Sequence, residues 1–214
     1  MPDGTMIAPE SQQGMSPPRV IVFVKAPRPG RVKTRLAATI GPEAACAAYR
    51  EMVDTLLDNL TPLPHLELRY TPDNAFNEIR PWLRNQWSTA PQGLGDLGER
   101  MHRAFTEAGG PAILIGSDCP EITALDINEA ATALKTHNGA IGPAEDGGYW
   151  LIGLQLPCPA LFNDMCWSTG DVLKQSLARA NKANLSLHHL RKLKDVDESN
   201  DWKNWKNSRS KYPK

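Results

Sequence analysis

Residues 19–24 read Arg-Val-Ile-Val-Phe-Val, an unbroken β-branched and aromatic run of the kind that forms a strand buried on both faces. Such a strand needs a layer of structure against each side. The rest of the chain supplies those layers in alternation. Extended segments are expected at 66–70, 112–116, 139–142, 149–154 and 185–190. Between them, Ala44, Ala48, Met52, Leu56 and Leu60 recur mostly four apart after Gly41-Pro42 and stop at Pro62 and Pro64, which predicts a helix. Helical spacing also covers 96–108, 123–135 and 170–181, and a last helix is expected to open near Ser199. Residues 82–87 follow neither period. This alternation predicts an α/β fold, three layers with helices on both sides of a mostly parallel central sheet.

The chain has 214 residues, enough for one substantial core. Residues 1–18, rich in Pro, Gln, Ser and Gly, are expected to be a disordered leader, with Met15 as an alternative start. The body is expected to span 19–202 and a basic C-terminal tail 203–214, with Trp202 and Trp205 stapling the final helix to the body. A formal net charge of +0 argues against a broad nucleic-acid surface. No segment reaches the roughly eighteen apolar residues of a membrane span, and no apolar signal segment opens the chain. The four cysteines, Cys46, Cys119, Cys158 and Cys166, lack C-x-x-C spacing. Zinc and disulfide frameworks are therefore not expected, and a cytoplasmic location is.

Several segments carry residue types suited to chemistry. The strand at 112–116 stops on Gly116 and presents Asp118 where open α/β sheets place their sites. A carboxylate there suits Mg²⁺, which takes oxygen ligands from one or two carboxylates and from substrate phosphates. Directly after the first strand, residues 25–36 carry five cations, Lys25, Arg28, Arg31, Lys33 and Arg35, together with Gly30. Either they neutralise a diphosphate or triphosphate, with Gly30 allowing close backbone approach, or they form a solvated basic loop. No Walker A pattern is present.

Residues 93–98 read Gly-Leu-Gly-Asp-Leu-Gly, literally G-x-G-x-x-G. The dinucleotide fingerprint requires a strand just before it, and Ser88-Thr-Ala-Pro-Gln92, with Pro91 unable to donate to a ladder, is not expected to supply one. A turn at Gly95 capped by Asp96 still suits a nucleotide base or sugar, with Arg100 one turn later on the same side. In residues 142–154, Asp146 precedes Gly147, Gly148 and Tyr149. Asp146 is either a turn residue or a group that ligates a metal or orients an acceptor hydroxyl. Trp167 suits stacking on a sugar or base, while Ser168 and Thr169 are candidates for a helix cap or for acceptor contacts. Asp197 is either a cap or a second metal ligand.

Taken together, residues 25–36, 95–101, 116–120, 142–154, 167–169 and 195–201 resemble the DUF2064 family, glycosyltransferase-like proteins of the GT-A superfamily of nucleotide-diphospho-sugar transferases. The resemblance implies a GT-A nucleotide-binding transferase domain over 19–202. It implies Mg²⁺ or Mn²⁺ held by Asp118 and, less directly, Asp197, and phosphates held by the basic loop. Asp118, Asp146 and Lys33 are the expected catalytic residues. The D-x-D pattern of many glycosyltransferases stands here as Gly116-Ser-Asp118. Three functions follow as expectations: transfer from a nucleotide-sugar to a small-molecule acceptor, transfer of a nucleotidyl group from a nucleoside triphosphate with pyrophosphate release, and, in another class, non-catalytic nucleotide binding.

Overall fold

The computed structural model describes residues 16–84 and 86–211, so most of the expected leader and the last three residues of the expected tail lie outside the described residues. The apolar run forms β1, Arg19–Lys25, whose five inner residues are buried. They divide by parity: Val20, Val22 and Val24 join one apolar cluster, Ile21 and Phe23 another. That is the period-two pattern of a strand covered on both sides.

The chain continues through α1 (Thr34–Ile40), α2 (Pro42–Leu60), β2 (Glu67–Thr71), α3 (Phe76–Ile79), β3 (Ser88–Pro91), α4 (Leu97–Ala108) and β4 (Ala112–Ile115). Then come α5 (Ala124–Ala133), β5 (Gly139–Pro143), β6 (Tyr149–Leu154), α6 (Val172–Lys182), β7 (Leu187–His189) and α7 (Ser199–Lys211). The seven strands form one sheet in the order β3-β2-β1-β4-β6-β5-β7. Among the described residues, only β6 runs against its neighbours. From α2, Tyr49, Val53 and Leu56 cover one face with Ile127 and Ala130 of α5. Met101, Ala104 and Phe105 of α4 cover the other with Ala180 of α6.

After β1 the chain steps outward to β2 and β3, then returns to lay β4 on the other side of β1. This reversal makes the carboxyl ends of β1 and β4 a topological switch point, where loops diverge and leave a crevice.

Helices α1 and α3 and strand β3 differ from the sequence reading, which expected none of them. Residues 34–36, expected in the basic loop, begin α1. Residues 88–91, expected not to be a strand, form β3, which pairs only with β2. An edge strand leaves one side unpaired, so Pro91 at its end breaks no central ladder. Helix α7 takes in residues 203–211 of the expected tail. Trp205 is buried with Met52 and Val196, and Trp202 packs beside them. Among the described residues, no helix is long and apolar enough to cross a membrane.

Candidate active site

Residues 26–33 leave β1 as a braced loop. The Pro27 carbonyl accepts from the Cys46 thiol at 3.0 Å and from Arg50 Nη2 at 3.1 Å. The loop ends at Lys33, whose backbone is left-handed (φ 47°, ψ 50°) and whose carbonyl accepts the first bond of α1, from Ala37 N–H at 2.8 Å. This conformation is uncommon for a residue with a side chain. It turns the Lys33 side chain inward, where it is only 2% exposed. Its ammonium lies between Asp118 and Asp197, 2.8 Å from Asp197 Oδ1. Arg35 takes the other Asp197 oxygen at 2.5 Å.

Asp118 leaves the end of β4, with half of its side chain open to the crevice. Burial opposes its charge, but Lys33, with help from Lys25 and Arg35, holds the carboxyl below its ordinary value. Burial likewise opposes the Lys33 ammonium, and Asp118 and Asp197 more than offset it, raising that pKa. Beneath them, Ser117 bonds the Tyr49 hydroxyl at 3.1 Å, and the same oxygen accepts the Lys25 amide at 2.9 Å. Burial pushes the Tyr49 phenol up to about 12, so it serves as a neutral strut. On the far side, Asp195 Oδ1 accepts the Cys119 thiol at 2.7 Å. Burial, together with the charges of Asp146, Asp118 and Asp197, raises the Asp195 carboxyl to about 6.

These groups face a cavity of about 880 Å³. One wall carries Lys25, Lys33 and Arg35, and another carries Gly95, Asp96 and Arg100. A third comes from Asp146, Gly148 and Tyr149 of the β5–β6 hairpin, faced by Trp167, Ser168 and Thr169. Asp118 and Asp197 sit between them. The structure thus splits the expected phosphate loop. Arg28 and Arg31 line a neighbouring cavity of about 300 Å³ shared with Lys25. Arg28 is also held by Glu78 through contacts of 2.6 to 3.2 Å. Gly30, at φ 73°, makes the turn at the exposed loop tip and lines neither cavity.

Residues 93–98 form a stiff turn. Asp96 and Glu99 make a reciprocal capping box at the start of α4. Arg100 Nε donates to the Gly95 carbonyl at 2.9 Å, and Arg103 donates to those of Gln92 and Leu94. Arg100 therefore lines the cavity while bracing its wall. A strand does precede this segment, but it is the sheet's edge strand rather than the central strand from which a dinucleotide fingerprint opens.

The 167–170 loop is fitted against the hairpin. Asp146 Oδ1 accepts the Gly148 amide at 2.8 Å, so the residue is a turn former as well as a cavity group. Gly147, at φ 89°, lies beneath the loop rather than in the cavity, and a Cβ there would stand 2.0 Å from the Gly170 carbonyl. Tyr149 packs against Met101, and burial pushes its phenol far up. Ser168 is left-handed (φ 63°), and Thr169 Oγ1 returns to the Cys166 carbonyl at 2.9 Å. Neither caps α6, whose N-cap is Asp171. Asp197 does not cap α7 either, since Asp201 accepts the Glu198 amide there at 3.0 Å.

The sequence reading passed over Asp195, Ser117 and Tyr49. Asp195 had a signal: it stands two residues before Asp197, and in an extended segment such residues share a face. Tyr49 had none beyond its place on the buried stripe of α2.

Among the described residues, no group of three or more His, Cys, Asp or Glu side chains is arranged to hold a metal ion. Asp118 with Asp197 nevertheless fits the magnesium mode, in which one or two carboxylates act together with substrate phosphates. Their oxygens already gather around a cation, the Lys33 ammonium.

The family model of DUF2064, described as an uncharacterized protein conserved in bacteria, matches residues 58–169. No curated protein matches the chain. Among solved structures, a protein of Desulfovibrio desulfuricans G20 with the provisional name nucleotide-diphospho-sugar transferase is 33% identical, over 93% of this chain and 90% of that one, with a TM-score of 0.86. A cytidylyltransferase from Leptospira borgpetersenii serovar Hardjo-bovis, strain JB197, is similar in fold, at 12% identity over 92% and 87% of the two chains and a TM-score of 0.61. So is the inositol-1-phosphate CTP transferase from T. maritima, at 10% identity over 88% and 93% and a TM-score of 0.55. The chain belongs to the DUF2064 family and has the fold of the nucleotide-diphospho-sugar transferases.

Proposed function

We propose that this protein is a metal-dependent transferase that takes a nucleotide-sugar donor and passes its sugar to a small-molecule acceptor. One observation carries the reading: a single cavity brings Lys25, Lys33 and Arg35 to face Asp118 and Asp197. The provisional name of the Desulfovibrio desulfuricans protein, at 33% identity, supports the same class.

In this reading the donor's phosphates enter on the side of the basic loop, where Lys25 and Arg35 bind their oxygens and Lys33 contributes its ammonium. Asp118 and Asp197 would hold Mg²⁺ or Mn²⁺, which supplies Lewis-acid stabilisation of charge on the phosphates. The nucleoside lies along Gly95, Asp96 and Arg100. The acceptor lies between the hairpin and Trp167, where Asp146 orients its hydroxyl through Oδ2, Oδ1 being committed to Gly148. Trp167 and Tyr149 supply an apolar wall for a sugar ring, with Ser168 and Thr169 at its rim. The four cysteines are free thiols, which suits a cytoplasmic setting.

A second reading, nucleotidyl transfer from a nucleoside triphosphate, is favoured by the neighbouring cavity, where Arg31 joins Lys25 beside the first cavity while Arg28 is paired with Glu78. The two reactions release different products. The purified protein is incubated with Mg²⁺ or Mn²⁺, candidate acceptors, and panels of nucleotide-sugars and triphosphates. Nucleoside diphosphate release supports the first reading, and pyrophosphate release the second. Metal-dependent binding without turnover would leave a non-catalytic nucleotide-binding module. Asp118→Asn should abolish Mn²⁺-dependent nucleotide binding in calorimetry while leaving the circular dichroism spectrum unchanged. Unchanged binding would sink the site assignment.

A further inference from the structure

With the metal-dependent transferase reading as premise, we infer that Lys33 is an exchangeable counter-ion that keeps divalent metal out of the site until a nucleotide arrives. The ammonium occupies the space between Asp118 and Asp197, the oxygens proposed for the metal. Asp197 has neither oxygen free, since Arg35 holds the second. A divalent cation approaching this pair meets a positive charge already in contact with the same atoms, and like charges at such range repel strongly away from bulk water.

The backbone makes this arrangement deliberate rather than incidental. Lys33 is held left-handed at the start of α1, and its side chain is almost wholly enclosed. Left-handed residues other than glycine cost of order 1 kcal/mol or more and persist where surrounding structure fixes them. A lysine free to point outward would adopt an ordinary conformation and bathe its ammonium in water. The carboxylates are held from their own side, since the Val196 amide bonds the Asp118 carbonyl at 3.0 Å and fixes Asp197 next to it.

Release needs an anion that competes for the ammonium. The donor's phosphates enter past Lys25 and Arg35 and offer oxygens to Lys33 from the cavity side. Once Lys33 turns to phosphate, Asp118 and the Asp197 oxygen it held lose that counter-ion and would be open to hold a divalent cation, while Arg35 stays on the other Asp197 oxygen. Binding is ordered, nucleotide first or nucleotide and metal together, and the free protein is insensitive to divalent cations.

The test is direct titration of Mn²⁺ into the protein alone, with free Mn²⁺ read by electron paramagnetic resonance. Wild type should bind weakly, and Lys33→Met should bind at least tenfold more tightly without nucleotide. Lys33→Met combined with Asp118→Asn should lose that gain. Lys33→Gly, which suits the left-handed backbone and also removes the charge, serves as a second variant if the first is unfolded by circular dichroism. Lys33→Arg keeps the charge and should bind as weakly as wild type. Equal Mn²⁺ affinity in wild type and the neutral variants overturns the counter-ion role. In that event, if a nucleoside diphosphate still binds wild type more tightly with Mn²⁺ than without it, the transferase reading stands. If it does not, both fall.

Discussion

The Val196 amide donates to the Asp118 carbonyl oxygen at 3.0 Å, which fixes two carboxylate-bearing segments from distant parts of the chain in one register. Val196 itself is buried with Met52 and Trp205, while Asp195 and Asp197 on either side of it face the cavity. Alternation along an extended segment thus splits anchoring from chemistry.

Trp205→Ala should therefore do more than remove a surface aromatic. Its ring is buried against that cluster and carries the Arg209 guanidinium at 5.0 Å. Loss of about 3–5 kcal/mol is expected from truncating a buried tryptophan, read as a shift of the urea midpoint. Nucleotide affinity in the still-folded variant should also fall, because Asp197 loses its backing. A variant with unchanged stability would mean that α7 is not docked as described.

Asp126 provides a pH-dependent contribution remote from the cavity. Its side chain, 6% exposed, accepts from Arg191 at 2.6 and 2.8 Å and from Thr123. Burial opposes its charge, but these partners win and lower its pKa. The folded state then binds the Asp126 proton less tightly than the unfolded chain does. The stabilisation is complete above the unfolded carboxylate value of about 4 and lost as pH falls through the lower folded value. Asp126→Asn should cost about 1.5–3 kcal/mol at pH 7, as for hydrogen bonds to charged groups, with the gap closing in strong acid. Urea titrations of both proteins at neutral and acid pH measure it, and a gap that persists unchanged in acid contradicts the assignment.

Gly147→Ala should disturb the acceptor wall. The substitution combines a left-handed backbone with a Cβ only 2.0 Å from the Gly170 carbonyl, a backbone atom that no rotamer change can move aside. A loss of ~1–3 kcal/mol is expected from the backbone conformation alone. The 167–170 loop must also shift, so acceptor KM should rise while nucleotide affinity holds. An equal loss on both would mean that the loop serves the nucleotide.

Tyr49→Phe isolates one hydroxyl. The ring keeps its edge contact with Trp82 at a centroid distance of 6.1 Å, but the Lys25 amide and Ser117 lose their partner. The expected cost is about 1–3 kcal/mol for an unsatisfied buried donor, with an unchanged m-value in urea.

What the residues disclosed in advance followed from burial. The β1 run and the stripe of α2 are long enough for periodicity to name both the element and the face it buries, so the layers were readable. Strand β3 was not, because its four residues are half-exposed and end in proline. Its signal lies in pairing with β2, which no local pattern carries. Asp118 was visible from its place after an apolar strand, and so was the cationic character of the loop that faces it. The division of that loop was hidden, since the ion pair between Arg28 and Glu78 joins residues far apart in sequence. The commitment of Arg100 to Gly95 was equally hidden, although both residues had been placed near the nucleotide.

The distances along the chain between the site's parts bear on how the protein comes to be made. Lys33 and Asp118 leave the ribosome well before Asp197, the residue that completes their charge pairing. A nascent chain that has already built β1 through β4 therefore carries Asp118 and Lys33 without the segment that aligns them. The site comes into existence only when residues 195–205 have emerged and α7 has docked. Truncation between β7 and Asp195 should leave every strand of the sheet in the chain yet no assembled centre.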